Sequence, residues 1–239
     1  MEIRDSVAFV TGANRGIGRA FVDVLLERGA RRVYAAARDR ASLEPLARLD
    51  PRVHTVVLDV RDTSQAMAAA DKARDVTLLI NNAGTLSFGG LADVPLGAVR
   101  DLMETNFFGP LNVINAFAPV LEADRGAVVN MLTLVALASM PGLAAYNASK
   151  AAALSLTQSF RADLAKRGIA VHGVFPGAVD TDMIRAIQMP KTPAIDVAQA
   201  TLDGVEAGEE DIFPDPMSRQ LYSAWRQDHK AVERQFAAM

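Results

Sequence analysis

The stretch Val7-Ala8-Phe9-Val10-Thr11-Gly12-Ala13-Asn14-Arg15-Gly16-Ile17-Gly18 decides how the rest of the chain is read. Four consecutive apolar residues, Val7 to Val10, fit a strand buried on both faces, as in a parallel sheet covered by helices. A helical pattern begins at once behind it, with Ile17, Phe21, Val24 and Leu25 sharing one face. Between the two lie Gly12, Gly16 and Gly18. Glycines let the backbone turn sharply and let a pyrophosphate approach the helix N-terminus, where free N–H groups and the helix dipole favour negative charge. A glycine turn between a strand and a helix therefore predicts a dinucleotide site.

The same alternation continues along the chain. Strands are predicted at Val7–Val10, Val33–Ala36, Val53–Leu58, Thr77–Ile80, Ala127–Leu132 and Ala170–Phe175. Helices are predicted at Gly16–Arg28, Thr63–Ala73, Leu96–Leu121 with a break near Gly109-Pro110, and Ala144–Arg167. Repeated strand-helix-strand units argue an α/β fold, a doubly wound parallel sheet of Rossmann type with helices on both faces. Ligands then sit along the edge formed by the strand ends. No linker interrupts residues 1–239, which are read as one domain. After Gly208 an edge strand at Ile212-Phe213 and a helix from Ser218 are expected.

Composition excludes several classes. The 25 basic and 28 acidic residues give a net charge of −3, so no basic surplus points to nucleic acid or an anionic membrane. Without cysteine there is no disulfide framework, thiolate metal site or cysteine nucleophile. His54, His172 and His229 lie far apart and make no HExxH, so no metal is expected. The start carries Glu2, Arg4 and Asp5 and does not resemble a secretory signal, which predicts a cytoplasmic protein. Residues 126–149 carry no charge, but Pro141-Gly142 and several polar residues punctuate them, so a strand, a loop and a helix start are expected there instead of a membrane span.

The spacing Thr11-Gly12 through Gly16 and Gly18 resembles the TGxxxGxG of the short-chain dehydrogenase/reductase family. Further matches follow in that family's order: Asn81-Asn82-Ala83-Gly84, Asn106, Tyr146-Asn147-Ala148-Ser149-Lys150, and Pro176-Gly177 with Thr181. The resemblance spans about residues 6 to 215. It implies a seven-stranded parallel sheet and a nicotinamide cofactor held by Gly12, Asn14, Arg15, Gly16, Ile17, Gly18, Arg38, Asn82, Ala83, Gly84, Tyr146, Lys150, Pro176, Gly177, Val179 and Thr181. It also sets Asp59 and Val60 beside the adenine.

NAD selection needs a carboxylate at the end of the second strand, on the ribose hydroxyls. By resemblance the selecting position is Ala37, which has none, while Arg38 and Arg15 supply two guanidinium forks suited to a 2′-phosphate. This favours NADP (NADPH). Two readings stay open: both arginines as solvated surface residues, and Asp39 as a competing signal for NAD.

Among three tyrosines and five lysines, only Tyr146 has a lysine four residues on, which puts Tyr146 and Lys150 on one helix face. A free tyrosine titrates near pH 10, and a nearby lysine cation together with the oxidised nicotinamide favours the phenolate. Tyr146 could then pass a proton to a carbonyl oxygen as hydride reaches the carbon. By resemblance Lys150 also holds the nicotinamide ribose, and Asn106 anchors a water to that lysine. Thr133 stands where the family carries serine; it keeps the hydroxyl, adds a methyl and stiffens χ1. Tyr146 as a packing residue, Asn106 as a helix break and Thr133 as an ordinary strand residue are the plainer alternatives.

By resemblance, the substrate-pocket candidates are Leu86, Ser87 and Phe88, Leu134 to Met140, and Ala178 to Met189, mostly apolar. They favour a small or medium apolar ketone or aldehyde, with its alcohol in reverse. An NADP-binding regulator with weak catalysis and a ketoacyl-thioester reductase are the alternatives. By resemblance, the apolar faces on Leu111–Leu121 and Leu154–Leu164 match the helices that build the family's dimers and tetramers, which implies a homodimer or homotetramer; they could equally be core stripes facing the sheet.

Overall fold

The computed structural model describes residues 1–90 and 92–238. The first strand, β1 (Val7–Thr11), is buried throughout. Val7 and Phe9 face one core and Ala8 and Val10 the other, as the alternation of a strand requires. The remaining strands are β2 (Arg32–Ala37), β3 (Val53–Val57), β4 (Leu78–Asn81), β5 (Ala127–Met131), β6 (Ala170–Val174), a short parallel pair β7 (Val179–Asp180) and β8 (Thr192–Pro193), and β9 (Asp211–Ile212). Seven of them form one sheet in the order β3-β2-β1-β4-β5-β6-β9, with every neighbouring pair parallel. The order reverses between β1 and β4, and such a switch point leaves a crevice at the strand ends.

Helices cover both faces. On one side α1 (Gly16–Glu27) and α7 (Ala194–Ala207) bury Phe21, Leu25, Val197 and Leu202. On the other, α3 (Thr63–Lys72), α5 (Gly109–Ala123) and α6 (Ala144–Ala165) bury Ala66, Val113, Phe117, Phe160 and Leu164. A short α2 (Glu44–Ala47) precedes β3; α4 (Leu96–Met103) leads into α5; α8 (Pro216–Gln227) and α9 (His229–Ala237) end the chain.

Several expectations need correction. The helix does not break at Gly109-Pro110: α4 and α5 are joined by a π-helical turn over Glu104–Phe108, which absorbs the proline, and Gly109 donates to the Glu104 carbonyl five residues back. Gly109 also admits Val60, whose Cγ2 would lie 2.7 Å from a Cβ there. The edge strand sits one residue earlier than Ile212-Phe213. The apolar residues Val113, Ile114, Phe117, Leu121, Phe160 and Leu164 are core stripes within the chain, so they give no support to an oligomer interface. The uncharged 126–149 stretch, by contrast, is what the sequence predicts, a strand (β5), a loop with a 3-10 turn and the start of α6; among the described residues no helix is long and apolar enough to cross a membrane.

Candidate functional site

The sequence-predicted residues gather at the C-terminal ends of the parallel strands. Gly12 (φ +64°) and Gly16 (φ +55°) take the left-handed backbone that other residues avoid. Gly18 is needed for space: a Cβ there would lie 2.1 Å from the Gly12 carbonyl oxygen and 2.5 Å from Asn82 Nδ2. Thr11 and Asn82 lock this turn to the end of β4. The Thr11 hydroxyl oxygen accepts the Asn82 and Ala83 N–H groups, each at 3.0 Å, and Asn82 Nδ2 donates to the Thr11 and Gly12 carbonyls at 3.0 and 3.1 Å. The Asn82 amide thus braces the glycine turn. Asn14 and Ile17 complete the loop and the first turn of α1, whose N-cap, Arg15, makes no side-chain capping bond. An open cradle at an uncapped helix N-terminus suits a pyrophosphate.

Beside it, Ala37 is buried and Arg38 is exposed at the end of β2. The Asp39 carboxylate accepts the Ala41 and Ser42 N–H groups at 3.1 and 3.2 Å, so it caps the following 3-10 turn. The Arg15 side chain is 68% exposed and lies 3.8 Å from the Asp182 carboxylate, just past Thr181. Thr181 itself closes over Gly16, its Cγ2 3.2 Å from where a Cβ would stand. Asp59 pairs with Arg61 at 2.6 Å, and the Arg61 guanidinium, helped by Arg38, holds the Asp59 carboxyl below its usual range. Val60 is buried next to it.

The second group of candidates, Asn106, Thr133, Tyr146 and Lys150, gathers past the end of β4 and β5. Asn106 lies in the π-helical turn, buried; its Oδ1 accepts the Thr85 N–H at 2.9 Å, and its Nδ2 donates to the Thr85 carbonyl and to Ser149 Oγ at 2.9 and 3.0 Å. Ser149 Oγ donates in turn to the Tyr146 carbonyl within α6 at 2.8 Å, so the Asn106–Ser149 bond ties α6 to the turn. A Cβ on Gly84 would stand 3.3 Å from Asn106 Oδ1 and 3.8 Å from Lys150 Nζ, so the end of β4 meets both residues. Thr133 follows β5, with its hydroxyl beside the Tyr146 phenol. Burial pushes the Tyr146 phenol up to about 12, against the lowering influence of the Thr133 hydroxyl. Burial brings the Lys150 ammonium down to about 8. Lys150 Nζ donates to the Met131 carbonyl at 2.7 Å and sits 5.9 Å from the Tyr146 ring centroid. In the cofactor-free chain, then, Lys150 is engaged by a backbone carbonyl and burial favours the protonated phenol. A protonated phenol and a neighbouring hydroxyl can hold a carbonyl oxygen and deliver a proton to it.

On the substrate side, Leu134 is turned into a core with Leu132, Ala153 and Phe175, and Ala138 packs with Met140 against Val232 and Phe236 of α9. Leu134 is thus a packing residue and not a pocket wall. Phe88, Met183 and Met189 remain exposed. Pro176 and Gly177 follow β6, and Val179 is buried in β7. Sequence reasoning missed Asp215, whose carboxylate accepts the Gly177 N–H at 2.8 Å. An Asp before a proline and three residues before Ser218 was a readable cap signal. Among the described residues no cluster of three or more acidic or histidine side chains could hold a metal.

A family model described as short chain dehydrogenase matches residues 6–191. The crystal structure of a short chain dehydrogenase from Burkholderia cenocepacia J2315, in complex with NADP, is 38% identical with a TM-score of 0.94, over 99% of this chain and 99% of that one. A short chain dehydrogenase/reductase from Burkholderia phymatum, in complex with NAD, is 26% identical with a TM-score of 0.88, over 98% of this chain and 96% of that one. A 3-alpha-(or 20-beta)-hydroxysteroid dehydrogenase of Mycobacterium bovis is 33% identical over 74% of this chain and 70% of its own. With its parallel seven-stranded sheet and a match over most of its length, this chain belongs to the short-chain dehydrogenase family of nicotinamide-dependent oxidoreductases.

Proposed function

We propose that the chain is an NADP-dependent oxidoreductase that interconverts a small or medium apolar ketone or aldehyde and its alcohol. The observation that carries this reading is the meeting of Tyr146, Thr133 and Lys150 beside Gly84, at the mouth of the glycine turn. When bound, the nicotinamide supplies the hydride, or accepts it in reverse. The Thr133 hydroxyl and the Tyr146 phenol hold the carbonyl oxygen, and Tyr146 gives it a proton as negative charge develops. Lys150, fixed by the Met131 carbonyl, orients the ribose side of the cleft. The hydroxysteroid dehydrogenase relative supports an apolar carbonyl substrate. The exposed Leu96 and Phe108 support assembly as a homodimer or homotetramer. A cytoplasmic location is consistent with this chemistry.

The NADP preference rests on Ala37, on Arg15 and Arg38, and on Asp39 being engaged as a cap; the NADP-bound relative at 38% identity supports it. Two exposed guanidinium contacts of about 1.4 kcal/mol each, reduced by solvent from their buried worth, amount to about 10²-fold. Fluorescence titration of NADPH and NADH at low and high ionic strength tests it. The expected result is tighter NADPH binding that salt weakens more than NADH binding. Equal dissociation constants would overturn the assignment.

A further inference from the structure

The family match ends at residue 191, yet the cleft is held from beyond it. Asp215, the N-cap of α8, is fully buried, and its carboxylate is divided between two elements. Oδ2 accepts the Gly177 N–H and Oδ1 accepts the Ser218 N–H, both at 2.8 Å. The box closes through Ser218, whose Oγ accepts the Asp215 N–H at 3.1 Å and donates to the Asp215 carbonyl at 2.8 Å. The contact with Gly177 is close: a Cβ there would stand 2.8 Å from Met217 Sδ and 3.1 Å from Asp215 Oδ1. At the far end of the same helical pair, Val232 and Phe236 of α9 pack with Val135, Ala138 and Met140, in the segment that follows Thr133. The C-terminal pair therefore touches both the 176–177 loop and the wall beyond Thr133.

We propose that Asp215 is a positioning residue for the nicotinamide cofactor, holding the 176–177 loop in its binding conformation through the N-terminus of α8. This rests on the nicotinamide reading above. A neutral amide at position 215 keeps the volume but offers one acceptor oxygen where the carboxylate has two, so one of the two N–H groups loses its partner. The loop then has to be ordered when the cofactor binds, which weakens binding. Ser218→Ala opens the capping box and leaves the bond from Gly177 to Asp215 in place, so it separates stability from positioning.

The experiment measures the dissociation constant of NADPH and of NADH by fluorescence, and the melting temperature of the cofactor-free protein, for the parent, Asp215→Asn and Ser218→Ala. The expected result is a dissociation constant raised about 5- to 10-fold in Asp215→Asn. In Ser218→Ala it stays within about twofold despite a comparable fall in melting temperature. An unchanged constant in Asp215→Asn, or constants that rise together with falling stability in both variants, would overturn the proposal. Should Asp215→Asn fail to fold, Gly177→Ala displaces the same loop against Met217; it is expected to weaken binding likewise, and unaltered binding would count against the proposal. A parent chain that binds neither dinucleotide overturns the nicotinamide reading and this role with it, whereas a parent that binds with an unaffected Asp215→Asn overturns this role alone.

Discussion

Lys150 makes a strong statement about stability and pH. It is 7% exposed, donates to the Met131 carbonyl, and burial takes its ammonium from an ordinary 10.5 to about 8. The folded pKa is depressed, so between about 8 and 10.5 the unfolded chain binds more protons than the folded one. Stability therefore rises with pH across that window. At 1.36 kcal/mol per pH unit, the full penalty on the folded ammonium at pH 7 is ~3 kcal/mol, and by pH 10 most of it is gone. Lys150→Met keeps a long unbranched stem and removes the charge. It also strips the Met131 carbonyl of its donor, a cost of about 1–3 kcal/mol that does not vary with pH. The absolute change at one pH thus mixes two effects, while the change with pH isolates the ammonium. Urea unfolding of the cofactor-free parent and variant at pH 7 and pH 10 provides the assay. The parent should gain about 2.5 kcal/mol relative to Lys150→Met over that range. A difference between the two proteins that is the same at both pH values would refute the reasoning.

Gly18→Ala forces a methyl to within 2.1 Å of the Gly12 oxygen; it should cost about 1–3 kcal/mol in denaturant melts and abolish measurable cofactor binding. Gly97→Ala, in the exposed part of α4 with nothing within 4 Å, should instead stabilise the chain by about 0.5–1 kcal/mol. Thr133→Val deletes the hydroxyl beside the Tyr146 phenol and should lower ketone turnover by about 10²-fold, while Thr133→Ser stays within a few-fold; equal rates in the Val and parent proteins would remove Thr133 from the site. Phe236→Ala, at a residue 5% exposed against the 135–140 segment, should lose about 3 kcal/mol in urea unfolding and raise KM for ketones, with cofactor affinity unchanged.

The sheet was legible because its strands are apolar on consecutive residues, and because a strand buried on both faces needs helices on each side. The glycine turn was legible for a similar reason: Gly18 has no room for a Cβ, so the sequence at that position is dictated by the backbone. Tyr146 and Lys150 followed from their spacing on one helix. What escaped the sequence depends on tertiary contact. Helix α7 went unread, although Val197, Ala198, Leu202 and Val205 share a face and Gly208 ends the helix in the left-handed region, because its apolar face is short and its partner, α1, is remote in sequence. The π-helical turn looked like a break, since Pro110 ends an α-helical ladder unless the register slips by one residue, and nothing local reveals that slip. Leu134 was assigned to a pocket because apolar loop residues look alike until α8 is in place; in the folded chain Leu221 and Phe213 pack over that cluster. The hold on Lys150 also escaped the sequence, because the Met131 carbonyl that engages it is a backbone group that no side-chain motif discloses.

The central claim, that Tyr146 protonates a carbonyl as NADPH reduces it, is tested most directly by following NADPH consumption with aryl and alkyl ketones in the parent and in Tyr146→Phe, with NADPH affinity measured alongside. Phenylalanine keeps the ring and removes the one proton proposed to move. The parent should turn over, and the variant should fall by about 10²- to 10⁴-fold with its NADPH dissociation constant within about twofold of the parent's. Reduction by Tyr146→Phe at the parent rate, or a parent that binds NADPH and reduces no ketone or aldehyde, would contradict it.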